Sequence, residues 1–300
     1  MPELPDVTVY KERLEALLVG DRLLEVKLLR PFTLRTVEPE LSALHGRQLL
    51  AVQRLGKRLV FEFDGELALV VHLMIAGRLQ WYAGERRLGG RIDLASLWFT
   101  RGTLSLTEAG SRRRASLHVV AGREAWRQFD RGGLEVHGAS PAEFAARLVL
   151  ENRTLKRALC DPTLFAGIGN AYSDEILHRA RLSPVVLTSR LTDDECERLR
   201  LAVLEVLDEW TERLRQETGA GFPRKVTAFR DGMAVHGRYG QPCPDCGAAV
   251  QRIRYADNEC NYCANCQCGG KLLADRGLST LLRKDWPKTL EELEERRRSG

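Results

Sequence analysis

The sequence predicts an α+β chain of more than one domain: a β-rich N-terminal part, a helical middle and a small four-cysteine ribbon near the end. Three observations carry that prediction. Seven short β-rich segments between Arg22 and Thr107 are separated by Gly or charged turns. From Pro141 onward the apolar residues take a helical spacing. Six of the eight cysteines then crowd between Cys243 and Cys268. A chain of 300 residues has room for about two domains.

The elements follow in order. Asp6 can cap a helix with Val7, Tyr10, Leu14, Leu17 and Leu18 on one face, ended by Gly20. Strands are expected at Arg22–Leu29, Gln48–Leu55, Arg58–Phe63, Leu67–Leu73, Gly77–Tyr82, Leu94–Thr100 and Thr103–Thr107. Short strands at regular spacing suggest a sandwich or a barrel. Ser140 can cap a helix over Pro141–Glu151, and Leu155–Cys160 reads as a second. Asn170–Arg179 follows the Gly167-Ile168-Gly169 turn. Thr192 and Glu195 form a capping box. The helix they open carries Leu199, Val203, Val206, Leu207, Trp210 and Leu214 in one stripe and stops near Gly219. A loop over Gly221–Gly240 leads to the cysteines, and the charged tail Leu290–Gly300 reads as a solvated helix or frayed end.

Composition narrows the function classes. The chain is 44% hydrophobic and 29% charged, as soluble globular proteins are. No apolar run approaches the roughly 18 residues of a membrane span; the longest, Leu67–Gly77, is interrupted by His72. No membrane partner is therefore expected. The start has no basic segment leading into an apolar one, so a secretory signal is not expected and the cytoplasm is the expected compartment. A net charge of +5 permits a polyanionic partner without demanding one.

Three motifs carry chemistry. Cys243-Pro244-Asp245-Cys246 and Cys263-Ala264-Asn265-Cys266 stand 16 residues apart. Two such pairs can place four thiolates around one Zn²⁺, with Tyr255 and Tyr262 covering the site. Four cysteine ligands leave no open position, so that zinc is structural. A pair of redox dithiols is the rival reading, and Cys260 or Cys268 could replace a ligand. Second, the glycines of Gly167-Ile168-Gly169 precede a helix start, which suits a phosphate; Lys156, Arg157 and Asn170 can complete that site. The plainer reading is an ordinary helical hairpin. Third, the chain opens Met1-Pro2-Glu3-Leu4-Pro5-Asp6. Removal of Met1 before a small residue exposes a secondary amine, and α-amino groups have pKa values of about 7.7–8.0. Such an amine can attack a sugar carbon and form a Schiff base. The plainer reading is a lead-in to the first helix.

Taken in order, Pro2-Glu3-Leu4-Pro5, Leu55-Gly56-Lys57-Arg58, His72-Leu73-Met74-Ile75-Ala76-Gly77, Gly167–Glu175 and the terminal ribbon resemble the formamidopyrimidine-DNA glycosylase / endonuclease VIII family of DNA repair enzymes. The resemblance runs from Pro2 to about Gln267. It implies a β-sandwich catalytic domain over 2–137, a helical helix–two-turns–helix domain over 138–235, a four-cysteine zinc finger over 236–270 and an extension over 271–300. It also implies a monomer in the nucleoid, acting on double-stranded DNA that holds a damaged base or an abasic site. The damaged nucleotide is flipped out, the Pro2 nitrogen attacks C1′, the base leaves, and the Schiff base permits strand cleavage by elimination. Pro2 resembles the nucleophile and Glu3 the acid/base that protonates the ring oxygen. Lys57 and Glu175 complete the expected catalytic set. Lys57 matches a phosphate-binding lysine and Asn170, beside Gly169, a phosphate-binding asparagine. His72 and Lys156 join the expected DNA contacts.

The departures lie in DNA gripping. Where the family has a methionine that fills the hole left by the flipped base, this chain has Ile75, with Met74 one step early; read as a strand, that offset changes faces. The later filler loop reads Glu108–Ala115 and offers Arg112 and Arg113 but no aromatic. The phosphate-gripping arginine of the zinc hairpin is replaced by Asn258. Those changes leave the lesion open. They also keep a second reading, a protein of the same fold that binds unusual DNA with lyase activity alone or none.

Overall fold

The computed structural model describes residues 1–86, 89–110, 112–255, 258–274 and 287–299. The chain forms two compact units, Met1–Arg131 with Glu209–Ala228, and Gly132–Asp208 with Phe229–Gly300.

The first unit opens with helix α1 (Leu4–Leu18). Eight strands follow: β1 (Leu23–Leu28), β2 (Leu49–Leu55), β3 (Arg58–Phe63), β4 (Leu67–His72), β5 (Gly77–Ala83), β6 (Asp93–Phe99), β7 (Gly102–Glu108) and β8 (Ser116–Ala121). They make two antiparallel sheets in the orders β1-β6-β7-β5 and β2-β3-β4-β8. Alternate residues of both sheets, among them Leu97, Leu104 and Leu106 on one and Val52, Phe61 and Leu69 on the other, join Val7, Tyr10 and Leu14 of α1 in one buried cluster. Two sheets facing across one core make a sandwich and not a closed barrel. Strand β8 and the short helix α2 (Arg123–Arg127) were not expected from sequence. The alternation in Ser116-Leu117-His118-Val119 is readable, but it follows directly on the arginine run.

Two sequence expectations change here. Helix α1 begins at Leu4, so Asp6 lies inside its first turn. Glu3 holds the cap position, and its N–H donates to the Asp6 carboxylate at 2.9 Å. Residues 74–76 form a turn between β4 and β5, so no strand-face argument applies to them. Met74 takes a φ of +53°, and the Gly77 N–H closes the turn on the Leu73 carbonyl at 2.9 Å. A Cβ at Gly77 would lie 2.2 Å from that oxygen, so only glycine fits.

In the second unit, helices α3 (Pro141–Val149), α4 (Leu155–Cys160), α5 (Asn170–Arg179) and the start of α6 (Asp193–Thr218) bury Phe144, Leu159, Phe165, Ile176 and Leu199. The Thr192–Glu195 capping box forms, with hydrogen bonds of 3.0 and 3.3 Å. Hairpin β9 (Gln251–Arg254) and β10 (Glu259–Tyr262) and helix α7 (Ala264–Cys268) build the ribbon. Its apolar clusters are small, Val235 with Val250 and the cysteines, and Ile253 with Cys260, Tyr262 and Ala264. Tyr262 is buried as expected, but Tyr255 lies beyond the end of β9 and is 51% exposed. Of the extension, 271–274 and 287–299 are described; 275–286 lie outside the described residues. Lys271 pairs with Thr289, the Leu290 N–H donates to the Gly270 carbonyl at 3.1 Å, and helix α8 runs over Leu290–Ser299. No described helix is long and apolar enough to cross a membrane.

Candidate functional site

The chain start is folded into the first unit. Pro2 is buried, and Glu3 and Asp6 are 2% and 4% exposed. The terminal amine at Met1 lies below its ordinary pKa, because burial outweighs the pull of Glu3 while Arg78 and Lys57 push the same way as burial. An amine so placed is unprotonated at lower pH than a free chain end. Arg78 is fixed by the carbonyls of Gly77 and Val226, and Tyr10 by that of Leu79.

A basic cluster stands on the β2–β3–β4 sheet. Gly56 at φ +57° and Lys57 form the two-residue turn between β2 and β3, which leaves Lys57 half-buried at the tip. His72 pairs with Arg58 across β3–β4. Burial pushes the His72 imidazole down to about 4, and Arg58, Lys57 and His118 add to the shift. It is therefore neutral at pH 7. The folded state resists protonation that the unfolded chain accepts near pH 6.5, so His72 withdraws stability as pH falls from 6.5 towards 4. The His72 ring protons should titrate by NMR with a midpoint near 4; a midpoint above 6 would mean that the ring is solvated and that neither burial nor the cationic neighbours act on it.

Ile75 is 58% exposed at its turn, while Met74 is half-buried. At the end of β7, Glu108 is buried and accepts the backbone N–H groups of Arg114 and Ala115 from the loop that follows, at 2.9 and 3.0 Å. Arg112 is exposed, whereas Arg113 is half-buried and donates to the Arg91 carbonyl. Ser111, between them and Gly110, lies outside the described residues. Residues Ala220–Arg224 line a cleft of about 620 Å³ with Leu17, Gln80, Trp81 and Tyr82. Leu17 stands roughly 20 Å along α1 from Leu4 at 1.5 Å per residue, so that cleft is remote from the chain start.

In the second unit, Gly169 is buried at the cap of α5 and Asn170 is half-buried, its amide donating to the Glu259 carbonyl at 2.9 Å. Lys156 requires a correction. Its ammonium is buried and spends its three N–H bonds on the Asn170 carbonyl (2.6 Å), Ser173 Oγ (2.8 Å) and Asp174 Oδ1 (2.6 Å). Burial, the largest single influence, pushes its pKa down, but the charge and hydrogen bond of Asp174 together with the nearby Cys160 and Cys260 hold it above the ordinary range. No donor remains for a phosphate. Glu175 is equally committed: its carboxylate accepts the N–H groups of Ala234, Val235 and His236 at 2.7, 2.9 and 2.8 Å. The sequence reading missed Asp174 and His236, whose Oδ2 and Nδ1 lie 2.8 Å apart. The four-residue spacing of Asn170, Asp174 and His178, a polar stripe on a buried helix, is the signal that could have found Asp174.

The Sγ atoms of Cys243, Cys246, Cys263 and Cys266 lie within 4.8 Å of one another, with Cys246 and Cys263 at 3.4 Å. The Cys266 N–H points at Cys263 Sγ (3.5 Å), and the Gly247 N–H closes the first knuckle on the Cys243 carbonyl (2.9 Å). Four sulfurs converging in a ribbon with so little core fit a metal ion that holds it together. Cys260 and Cys268 belong to the other apolar cluster and are not in the group. Asn258 is exposed at the hairpin tip, where its carbonyl accepts the Tyr255 N–H at 2.7 Å; Ala256 and Asp257 lie outside the described residues.

The chain is similar to known proteins. The Formamidopyrimidine-DNA glycosylase N-terminal domain matches residues 1–119, and the Formamidopyrimidine-DNA glycosylase H2TH domain matches residues 136–219. The chain is 35% identical over 284 residues to the formamidopyrimidine-DNA glycosylase of Thermus thermophilus, covering 90% of this chain and all of that one. The solved MutM (Fpg) structure from the same organism is similar with a TM-score of 0.73 at 34% identity, over 89% and 98% of the two chains. The fold is also that of Lactococcus lactis Fpg in complex with a FAPY-dG containing DNA, with a TM-score of 0.79 over 89% and 100% of the chains; at 24% identity this likeness concerns the fold alone.

Proposed function

The chain belongs to the formamidopyrimidine-DNA glycosylase family, and from that premise we propose that it is a base-excision repair glycosylase on damaged or abasic DNA that also cleaves the abasic strand through its Pro2 nitrogen. The observation that carries the lyase reading is the buried chain start, where the terminal amine has a lowered pKa beside Glu3. Once Met1 is removed, the free amine is that of Pro2. Its lone pair attacks C1′ of the damaged nucleotide, and the base leaves with the bonding electrons and the proton that the amine sheds on forming its new bond. Glu3 gives a proton to the ring oxygen as the sugar opens to an iminium ion. The iminium draws electrons from C1′, which makes a proton on C2′ acidic. Loss of that proton expels the 3′ phosphate, and a second elimination expels the 5′ phosphate.

Lys57 is our candidate for the phosphate contact of the first unit and Asn170 for that of the second; Ile75, exposed on its turn, is the candidate wedge. Lys57→Ala should weaken duplex binding without regard to sequence and reduce the salt slope of log K by about 0.9, one phosphate's worth. An unchanged slope would remove Lys57 from the interface. We assign the four-cysteine centre to structural Zn²⁺, held by Cys243, Cys246, Cys263 and Cys266. The deciding test is a panel of duplexes with one lesion each. Base release with strand cleavage on at least one is expected; binding without release on any would leave only a DNA-binding protein.

A further inference from the structure

Helix α5 turns one row of polar side chains, Asn170, Asp174 and His178, towards residues 236–259 of its own unit. Asn170 reaches the Glu259 carbonyl and Asp174 reaches His236. The third contact is of another kind. His178 is 3% exposed, and its Nε2 lies 3.2 Å from Sγ of Cys243. Asp245 Oδ2 stands 4.0 Å from the same nitrogen. A thiolate bound to a cation keeps lone pairs and negative charge, so it accepts an N–H donor. Such a bond fixes the sulfur's orientation and tunes the metal it holds. The other N–H groups described at these sulfurs belong to the ribbon's own backbone, whereas His178 comes from the helix that carries Asn170.

We propose that His178 is a positioning residue of the metal centre, donating an Nε2–H···S hydrogen bond to Cys243 and so tying helix α5 to the bound ion. The inference rests on the zinc reading of the four cysteines.

The test uses the full chain purified with its metal, as wild type, His178→Phe and His178→Gln. Metal analysis of the wild type comes first: about one zinc per chain is expected, and none would overturn the zinc reading, and this inference with it. With zinc present, transfer of the ion to a chromogenic chelator is timed. Outer ligand partners are typically worth 10–100-fold in metal affinity, so His178→Phe should lose zinc about tenfold faster. His178→Gln, whose amide N–H reaches a similar point, should restore most of the difference. Equal rates in wild type and His178→Phe would overturn the inference while leaving the zinc reading intact. If His178→Phe does not fold, the wild type decides alone. With an NMR-active cadmium isotope in place of zinc, a scalar coupling should run from the metal through Cys243 Sγ to the His178 Hε2 proton. An observed Hε2 resonance without that coupling overturns the inference.

Discussion

A form of the protein whose Pro2 nitrogen stays in a peptide bond, through an uncleaved Met1 or an N-terminal tag, should lose borohydride trapping on abasic-site DNA by about a thousandfold or more, the scale of removing a covalent nucleophile. The cause is electronic. An amide nitrogen shares its lone pair with the carbonyl and cannot attack C1′. The processed wild type should trap well at neutral pH, because the burial and the cations Arg78 and Lys57 that lower the pKa of the Met1 amine bear on the same chain start. Glu3→Gln serves as the control. It keeps the amine and removes the proton donor for ring opening, so it should lose base excision while still crosslinking to a preformed abasic sugar, whose ring opens unaided. Trapping by the blocked form at the wild-type level would assign the nucleophile to another amine and remove Pro2 from the mechanism.

The second large effect is on stability. Asp174→Ala should destabilise the second unit by about 3–5 kcal/mol, because it strands a buried ammonium without its counter-charge. Asp174 is fully buried and accepts from Lys156 at 2.6 Å, while its other oxygen meets His236 at 2.8 Å. At the usual 2–4 °C per kcal/mol for a unit of this size, the melting temperature should fall by roughly 10 °C. Replacing both charges, Lys156→Met with Asp174→Leu, should cost less than Asp174→Ala alone, since no unpaired charge is left inside. Calorimetry on the three forms distinguishes the cases. A loss below about 1 kcal/mol for Asp174→Ala would mean that water reaches the ammonium and that Lys156 is free for other work.

The helix–turn–helix segment shows what can be read from a chain and what cannot. The bounds Leu155–Cys160 and Asn170–Arg179 agree with the sequence reading, because glycines and apolar spacing act over a few residues. The role of Lys156 does not follow from such signals. Beside Arg157 it looks like a surface cation, and only its carboxylate partner, 18 residues later, reveals a buried one. Met74 and Ile75 offer a second case. Their order in the chain is plain, but the positive φ at Met74 and the closure of Gly77 on Leu73 turn a supposed strand into a loop with Ile75 outward.

By itself the sequence determined the paired cysteines, the processable Pro2-Glu3 start, the strand-rich first half and the capped helices. Each is a matter of residue type and spacing along a few turns or strands. Tertiary structure alone decided which polar groups face inward: Lys156 and Asp174 on each other, Glu175 on the 234–236 backbone, and His178 on Cys243. Each of those pairings joins residues 18 to 65 positions apart. Charge and hydrogen-bonding capacity are written in the sequence, whereas burial, which sets what a charge is worth, exists only once distant segments have met.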